Sequence, residues 1–183
     1  MKPRLPDGQS VNFTNKENPK PGAVLILLYP ESGAYYFPLI QRPAYEGVHS
    51  GQIALPGGKS ERYDRNLYDT ALRETEEEIG VPREDIRVIG ALSQFYVAAS
   101  NYEVLPVIGY IREKPVFVPD HVEVDEVIIG SVDRLTDRKY HKEKEMRVRG
   151  FPLTTPYFDM QEKVVWGATA MMLSELVYIL DEL

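Results

Sequence analysis

From Arg73 to Gly80 the sequence runs RETEEEIG, with four glutamates in five consecutive positions. On a helix, which advances about 100° per residue, Glu74, Glu77 and Glu78 share one arc roughly 100° wide. Leu72, Thr75 and Ile79 fall on the opposite, apolar side. Carboxylates at i, i+3 and i+4 repel, which costs an isolated helix a few tenths (~0.3) of a kcal/mol per pair. No lysine lies on the arc, and Arg73 is the only cation nearby. A merely solvated face would interleave Lys or Arg. A hard divalent cation such as Mg²⁺ removes the conflict, because it takes carboxylate oxygens together with waters and substrate phosphate oxygens. Such an ion polarises a phosphoryl oxygen and acidifies a water, which opens hydrolysis near neutral pH. One glutamate would ligate while another accepts the water's proton. Just upstream, Pro-Gly-Gly-Lys (56–59) lets backbone groups approach the same cation or phosphate.

These residues must be positioned by a folded body. AVLILLYP (23–30) reads as a buried strand, ESG as a turn and AYYFPLIQR (34–42) as a second strand, together a hairpin. QIAL (52–55) is a short strand that Pro56, Gly57 and Gly58 are expected to stop. Helical periodicity runs from Asn66 to Ile79, with Asp64 or Asn66 as N-cap and Gly80 as C-cap. Further strands are expected in IRVIGALSQFYV, EVLPVIGYI and EVIIGSV, and a second hairpin in MRVRGFPLTTPYF with KVVWG. A last helix, ATAMMLSELVYIL, offers an apolar face to the sheet. The order predicts an α/β (α+β) fold with sheet and helices in layers.

At 183 residues the chain suits one domain of ordinary size. Residues 1–20, rich in Pro, Asn and Lys, read as a flexible N-terminal arm, and residues 21–183 as a single domain. The arm has no apolar core of the kind a secretory or transit segment needs, so a cytoplasmic location is expected. No stretch reaches the roughly 18 apolar residues of a membrane span. With zero cysteines there is no thiol nucleophile, disulfide framework or Cys-based zinc site. The net charge of −7 argues against a general nucleic-acid binder. It also means that an anionic substrate needs something to offset repulsion, and a divalent cation would do so.

The stretch GKSERYDRNLYDTALRETEEEIGV resembles the box of the Nudix hydrolases, G-x5-E-x7-R-E-U-x-E-E-x-G-U with U apolar. Arg73, Glu74, Glu77, Glu78, Gly80 and Val81 take its places, with Thr75 where an apolar residue is usual. Fourteen residues separate Gly58 from Arg73, where the general box has thirteen. Its first acidic position therefore falls on Asp64 counted forwards and on Arg65 counted backwards, and we take Asp64 with one residue inserted after it. The longer loop is similar to that of the coenzyme A pyrophosphatase subfamily. So is LIQRPAYEGVHSGQIALPGG, with Leu39, Arg42, His49, Gly51, Gln52 and Pro56 in register. Leu55 replaces a usual Phe, and Gly47 stands where an arginine is often found. The segment TPYFDMQEKVVWGATAMMLSEL also resembles that subfamily's C-terminal end.

The resemblance implies a Nudix fold, a mixed β-sheet between α-helices, and Mg²⁺- or Mn²⁺-dependent hydrolysis of the diphosphate of coenzyme A or its derivatives. The products would be 3′,5′-ADP and (acyl-)4′-phosphopantetheine. It makes Glu74, Glu77 and Glu78 metal ligands, with Glu77 also among the catalytic groups, and has Arg73 orient them. Glu123 and Glu126 are the candidate distal glutamates, as ligand or base. Arg42, His49, Gln52, Gly57 and Gly58 are the substrate-binding candidates, although Arg42 serves equally well as a structural residue and His49 suits a loop cap somewhat better than a substrate contact. The partner is a small nucleotide-like molecule, with no nucleic acid or membrane, and dimers are common among similar proteins. The other readings are a Nudix hydrolase of ADP-ribose, a nucleotide sugar or a dinucleoside polyphosphate, and a non-catalytic nucleotide-binding module. Trp166 reads as a core or helix-start anchor more than a stacking platform. The basic run RKYHKEKEMRVRG (138–150) reads either as a solvated loop and edge strand or as a phosphate-attracting patch.

Overall fold

In the computed structural model, which describes residues 3–5, 7–9, 17–43, 51–148 and 151–183, strand β1 (Lys20–Glu31) is the centre of the main sheet. Its sequence is apolar almost throughout because both of its faces are covered. Side chains of a strand alternate, so Ala23, Leu25 and Leu27 join one core cluster while Ile26, with Val24 and Leu28, joins the other. On one side β1 runs parallel to β7 (Tyr102–Tyr110), from Lys20↔Tyr102 to Leu28↔Tyr110. On the other it pairs antiparallel with β2 (Ala34–Gln41) at its end and with β4 (Gly57–Lys59) at its start. β3 (Ile53–Ala54) and β8 (Glu126–Ser131) flank β2, while β5 (Arg87–Ala91) and β6 (Phe95–Val97) pair with β7. The result is a mixed sheet of eight strands.

Helix α1 (Leu67–Ile79) lies on one face and buries Ala71 and Ile79 against Ala23, Leu25 and Leu27. On the other face, α3 (Gly167–Asp181) buries Met172, Leu173, Leu176 and Val177 against Ile26, Phe37 and Leu39. A short helix α2 (Val132–Thr136) places Leu135 in that same cluster. Beside α3, strands β9 (His141–Val148), β10 (Phe151–Met160) and β11 (Lys163–Trp166) form a separate antiparallel sheet.

The structure adds four features to the expected order. The Pro-Gly-Gly stretch stops the QIAL strand as expected, β3 ending at Ala54, but Gly57–Lys59 then pairs with β1 as a further strand, β4. The anticipated second hairpin is three-stranded, and the basic run forms a 3₁₀ turn (Arg138–Tyr140) leading into its edge strand β9. α2 went unanticipated because five residues are too few to show a helical period. The N-terminal arm meets the body at Arg4, which exchanges backbone hydrogen bonds of 2.9 Å with Thr154 and pairs with Glu143.

Candidate active site

The glutamate helix begins where expected. Asn66 is the N-cap, its side chain accepting from the Asp69 N–H at 3.0 Å, and Gly80 closes the helix in the left-handed conformation. Glu74, Glu77 and Glu78 sit on it very differently. The Glu77 side chain is 54% exposed, Glu74 13% and Glu78 only 1%. A helix in open water would expose all three, so the difference comes from what lies over the helix.

β4 and the segment after it form that cover. The Gly57 N–H donates to Glu78 Oε2 at 2.7 Å, and the Gly57 carbonyl accepts from Arg42 Nη2 at 2.9 Å. Gly57 has φ +147°, and a Cβ there would lie 2.3 Å from the Ala23 carbonyl oxygen and 2.5 Å from Val24 Cα, so only glycine fits. At Gly58 the obstacle is the site itself, because a Cβ would lie 2.6 Å from the Glu74 carboxylate. The two glycines therefore bring backbone against the carboxylates for different steric reasons.

Arg73, 5% exposed, ties the arrangement together. Its Nη1 donates to Glu74 Oε1 and Glu77 Oε2, both at 2.8 Å. Its Nε and Nη2 grip Asp64 at 2.9 and 3.0 Å, and Nη2 also reaches the Lys59 carbonyl at 3.0 Å. The Asp64 side chain is itself buried and accepts further hydrogen bonds from Thr70 Oγ1 and the Glu61 N–H, both at 2.9 Å. The acidic position that spacing left open is thus an anchor for Arg73. Hydrogen bonds from Arg73 hold the Asp64 carboxyl far below the usual range. Asp64 supplies the fixed end of a lever whose other end steadies Glu74 and Glu77, a role that only the three-dimensional contact reveals.

Glu78 is perturbed in the opposite direction to Asp64. Burial pushes its carboxyl up to about 7, with Glu74 and Glu123 adding to the rise and Arg42 and the Gly57 N–H opposing it. Glu74 is raised for the same first reason, burial. Glu78 Oε1 is buried and accepts no hydrogen bond from the described residues, although Arg42 Nη2 stands 3.2 Å away. Buried carboxylate oxygens are normally satisfied, so an unsatisfied one next to other carboxylates suits a divalent cation. Among the described residues no three Asp, Glu or His side chains converge as a preformed cation site. Arg73 draws Glu74 and Glu77 to itself, and Gly57 holds Glu78. The donor set has the right chemistry for a divalent cation, hard anionic oxygen.

The segment between β7 and β8, with the first residue of β8, carries the remaining candidate glutamates. Val118 and Asp120 donate backbone N–H groups to the Ile79 and Glu78 carbonyls at 2.9 and 3.0 Å, capping the end of α1. A turn at Asp120 follows, and Asp125 donates to the Gln41 carbonyl at 2.9 Å. Glu123, exposed between these ties, is near enough to raise both Glu74 and Glu78. Glu126 lies on β8 and pairs with Lys163 at 2.5 Å. Arg42 abuts Glu78, and its own N–H donates to the Gln52 carbonyl at 3.0 Å. Gln52 lines a separate cleft beside β3. His49 lies outside the described residues.

The Nudix domain family matches residues 19–146, and the chain belongs to that family. It is 33% identical over 140 residues to an uncharacterized Nudix hydrolase, NudL, of Pectobacterium atrosepticum, covering 75% of this chain and 71% of that one. It is also 33% identical over 162 residues to the mitochondrial Nudix hydrolase 15 of Arabidopsis thaliana, covering 85% of this chain and 56% of the relative's length. Among solved structures, the Nudix hydrolase RenU of M. smegmatis superposes with a TM-score of 0.54 at 23% identity, over 73% of this chain and 81% of that one. The protein is a Nudix hydrolase with the Nudix fold. No helix among the described residues is long and apolar enough to cross a membrane.

Proposed function

We propose that the protein is a Mg²⁺- or Mn²⁺-dependent pyrophosphatase of coenzyme A and its derivatives. One observation carries the reading: Arg42 and Gly57, both inside the upstream stretch that resembles the coenzyme A subfamily, are the groups that touch Glu78. The stretch that speaks for the substrate and the helix that speaks for the chemistry thus meet at one carboxylate. Glu74, Glu77 and Glu78 would hold the cation, which when bound neutralises the diphosphate and polarises a phosphoryl oxygen.

The chain's own residues do the rest. Arg73, fixed by Asp64, sets the positions of Glu74 and Glu77. Gly57 orients Glu78, and Arg42 faces the diphosphate with a planar cation suited to phosphate oxygens. A water oxygen bonds to phosphorus, the bridging P–O bond breaks, and Glu123 takes the water's proton. Coenzyme A would yield 3′,5′-ADP and 4′-phosphopantetheine. Glu126, committed to Lys163, is outside this set.

Catalytic efficiencies with Mg²⁺ or Mn²⁺ on coenzyme A, ADP-ribose, a nucleotide sugar and a dinucleoside polyphosphate test the substrate. Coenzyme A or an acyl derivative is expected to lead, and a higher kcat/KM on any of the others would overturn the assignment. Glu78→Gln is expected to reduce turnover by more than about 100-fold, beyond the usual effect of losing a group that only supports a ligand.

A further inference from the structure

A cleft of about 390 Å³ opens between the main sheet and the three-stranded sheet, lined by Gln41, Gln52, Lys144, Met146, Lys163 and Trp166 among others. Its size lies within the roughly 300–1,000 Å³ of small-molecule sites. It abuts the glutamate face across one step of the chain, because Gln41 lines the cleft while the next residue, Arg42, touches Glu78. Trp166 and Met146, both half-buried, give the cleft a flat aromatic face and a polarisable neighbour. Gln41 and Gln52 contribute amides, and Lys163 Nζ already donates to Gln41 Oε1 at 3.1 Å.

The charges are uneven. Two lysines and one glutamate, Glu162, line the cleft, a net positive lining in a chain of net charge −7. Lys163 is paired with Glu126, Lys142 with Asp159 and Lys139 with Asp137. Among the described residues Lys144 has no carboxylate partner, and its ammonium stands 5.9 Å from the Tyr157 ring centroid. Glu143, its neighbour in sequence, pairs with Arg4.

We infer that this cleft binds the 3′-phosphorylated adenosine end of the substrate, with Trp166 stacked on the purine, Gln41 and Gln52 at the base edge and Lys144 on the 3′-phosphate. Glutamine amides suit adenine edges, and an ammonium suits a phosphate. The inference rests on the coenzyme A reading and supplies its specificity determinant.

Trp166 is the chain's one tryptophan, so its emission reports the cleft directly. The experiment titrates metal-free protein in EDTA with 3′,5′-ADP and with 5′-AMP, by fluorescence and calorimetry. Saturable quenching is expected, with 3′,5′-ADP bound about tenfold more tightly, as one charge-assisted contact would give. Lys144→Ala should cut that preference to about twofold or less, and Lys144→Arg should restore most of it. The inference is overturned if 3′,5′-ADP fails to bind, if it binds without changing Trp166 emission, or if Lys144→Ala keeps the preference. Metal-dependent cleavage of coenzyme A is read separately, so failure of the cleft and failure of the substrate assignment are told apart.

Discussion

Glu78 is a buried carboxylate whose second oxygen accepts no hydrogen bond from the described residues. With its folded value about 7 and its ordinary value 4.5, the folded protein binds more protons than the unfolded chain between those limits. The stability Glu78 contributes is therefore full below about pH 4.5 and is lost as pH rises through about 7. Asp64 has the opposite sign: Arg73 lowers it, so its contribution holds above the ordinary carboxylate range and falls away only in acid. Melting temperatures of metal-free protein from pH 5 to 8 should fall with pH, and Glu78→Gln should flatten the slope. Mn²⁺ should raise the wild-type melting temperature most at the alkaline end, because cation and proton compete for the same carboxylates. A wild-type slope unchanged by Glu78→Gln would contradict this account of the residue. The two distal glutamates separate in the same way. Glu123→Gln is expected to lower kcat by about 100-fold, within the range of a general base, and Glu126→Gln to leave it near wild type. Asp64→Ala should destabilise by about 3–5 kcal/mol in denaturant titration, because it strips a buried guanidinium of a fully paired carboxylate.

At the level of elements, the site is made by β4 lying across α1. Neighbouring glycines in β4 should therefore fail differently. Gly57→Ala drives a Cβ into the β1 backbone at 2.3 Å and should lower the melting temperature steeply. Gly58→Ala meets the carboxylate end of the Glu74 side chain first, at 2.6 Å, rather than backbone, so stability should fall less than in Gly57→Ala while Mn²⁺ affinity falls. Thermal melts and metal titrations on both variants check the contrast, and equal loss of stability in the two would refute it. The helix, its caps and the glutamate arc were legible in the sequence because they depend on spacing over a few residues. β4 was not, because a strand of three residues with two glycines carries no pattern and exists through its pairing with β1. The burial of Arg73 was likewise hidden. An arginine inside an acidic run reads as a surface charge, and Asp64, Lys59 and Glu74 close around it only after the chain has turned back.

At the scale of the whole molecule, the central sheet sets α1 on one face and α3 with the three-stranded sheet on the other. The glutamate face and the Trp166 cleft meet at the end of β2, where Gln41 and Arg42 belong one to each. An extended substrate with a diphosphate in its middle matches that layout, since its reacting centre and its nucleotide end need separate supports. The layered class could be anticipated from element order. The juxtaposition could not, because β2 and β9–β11 meet only through tertiary packing. The central claim is that this protein uses a divalent cation on the glutamate face to split the diphosphate of coenzyme A. Chromatography of coenzyme A incubated with the protein and Mn²⁺ tests it most directly, with EDTA and Glu78→Gln as controls. The account predicts equimolar 3′,5′-ADP and 4′-phosphopantetheine with Mn²⁺, and neither in the two controls; intact coenzyme A in the presence of Mn²⁺, or cleavage that persists in EDTA, would contradict it.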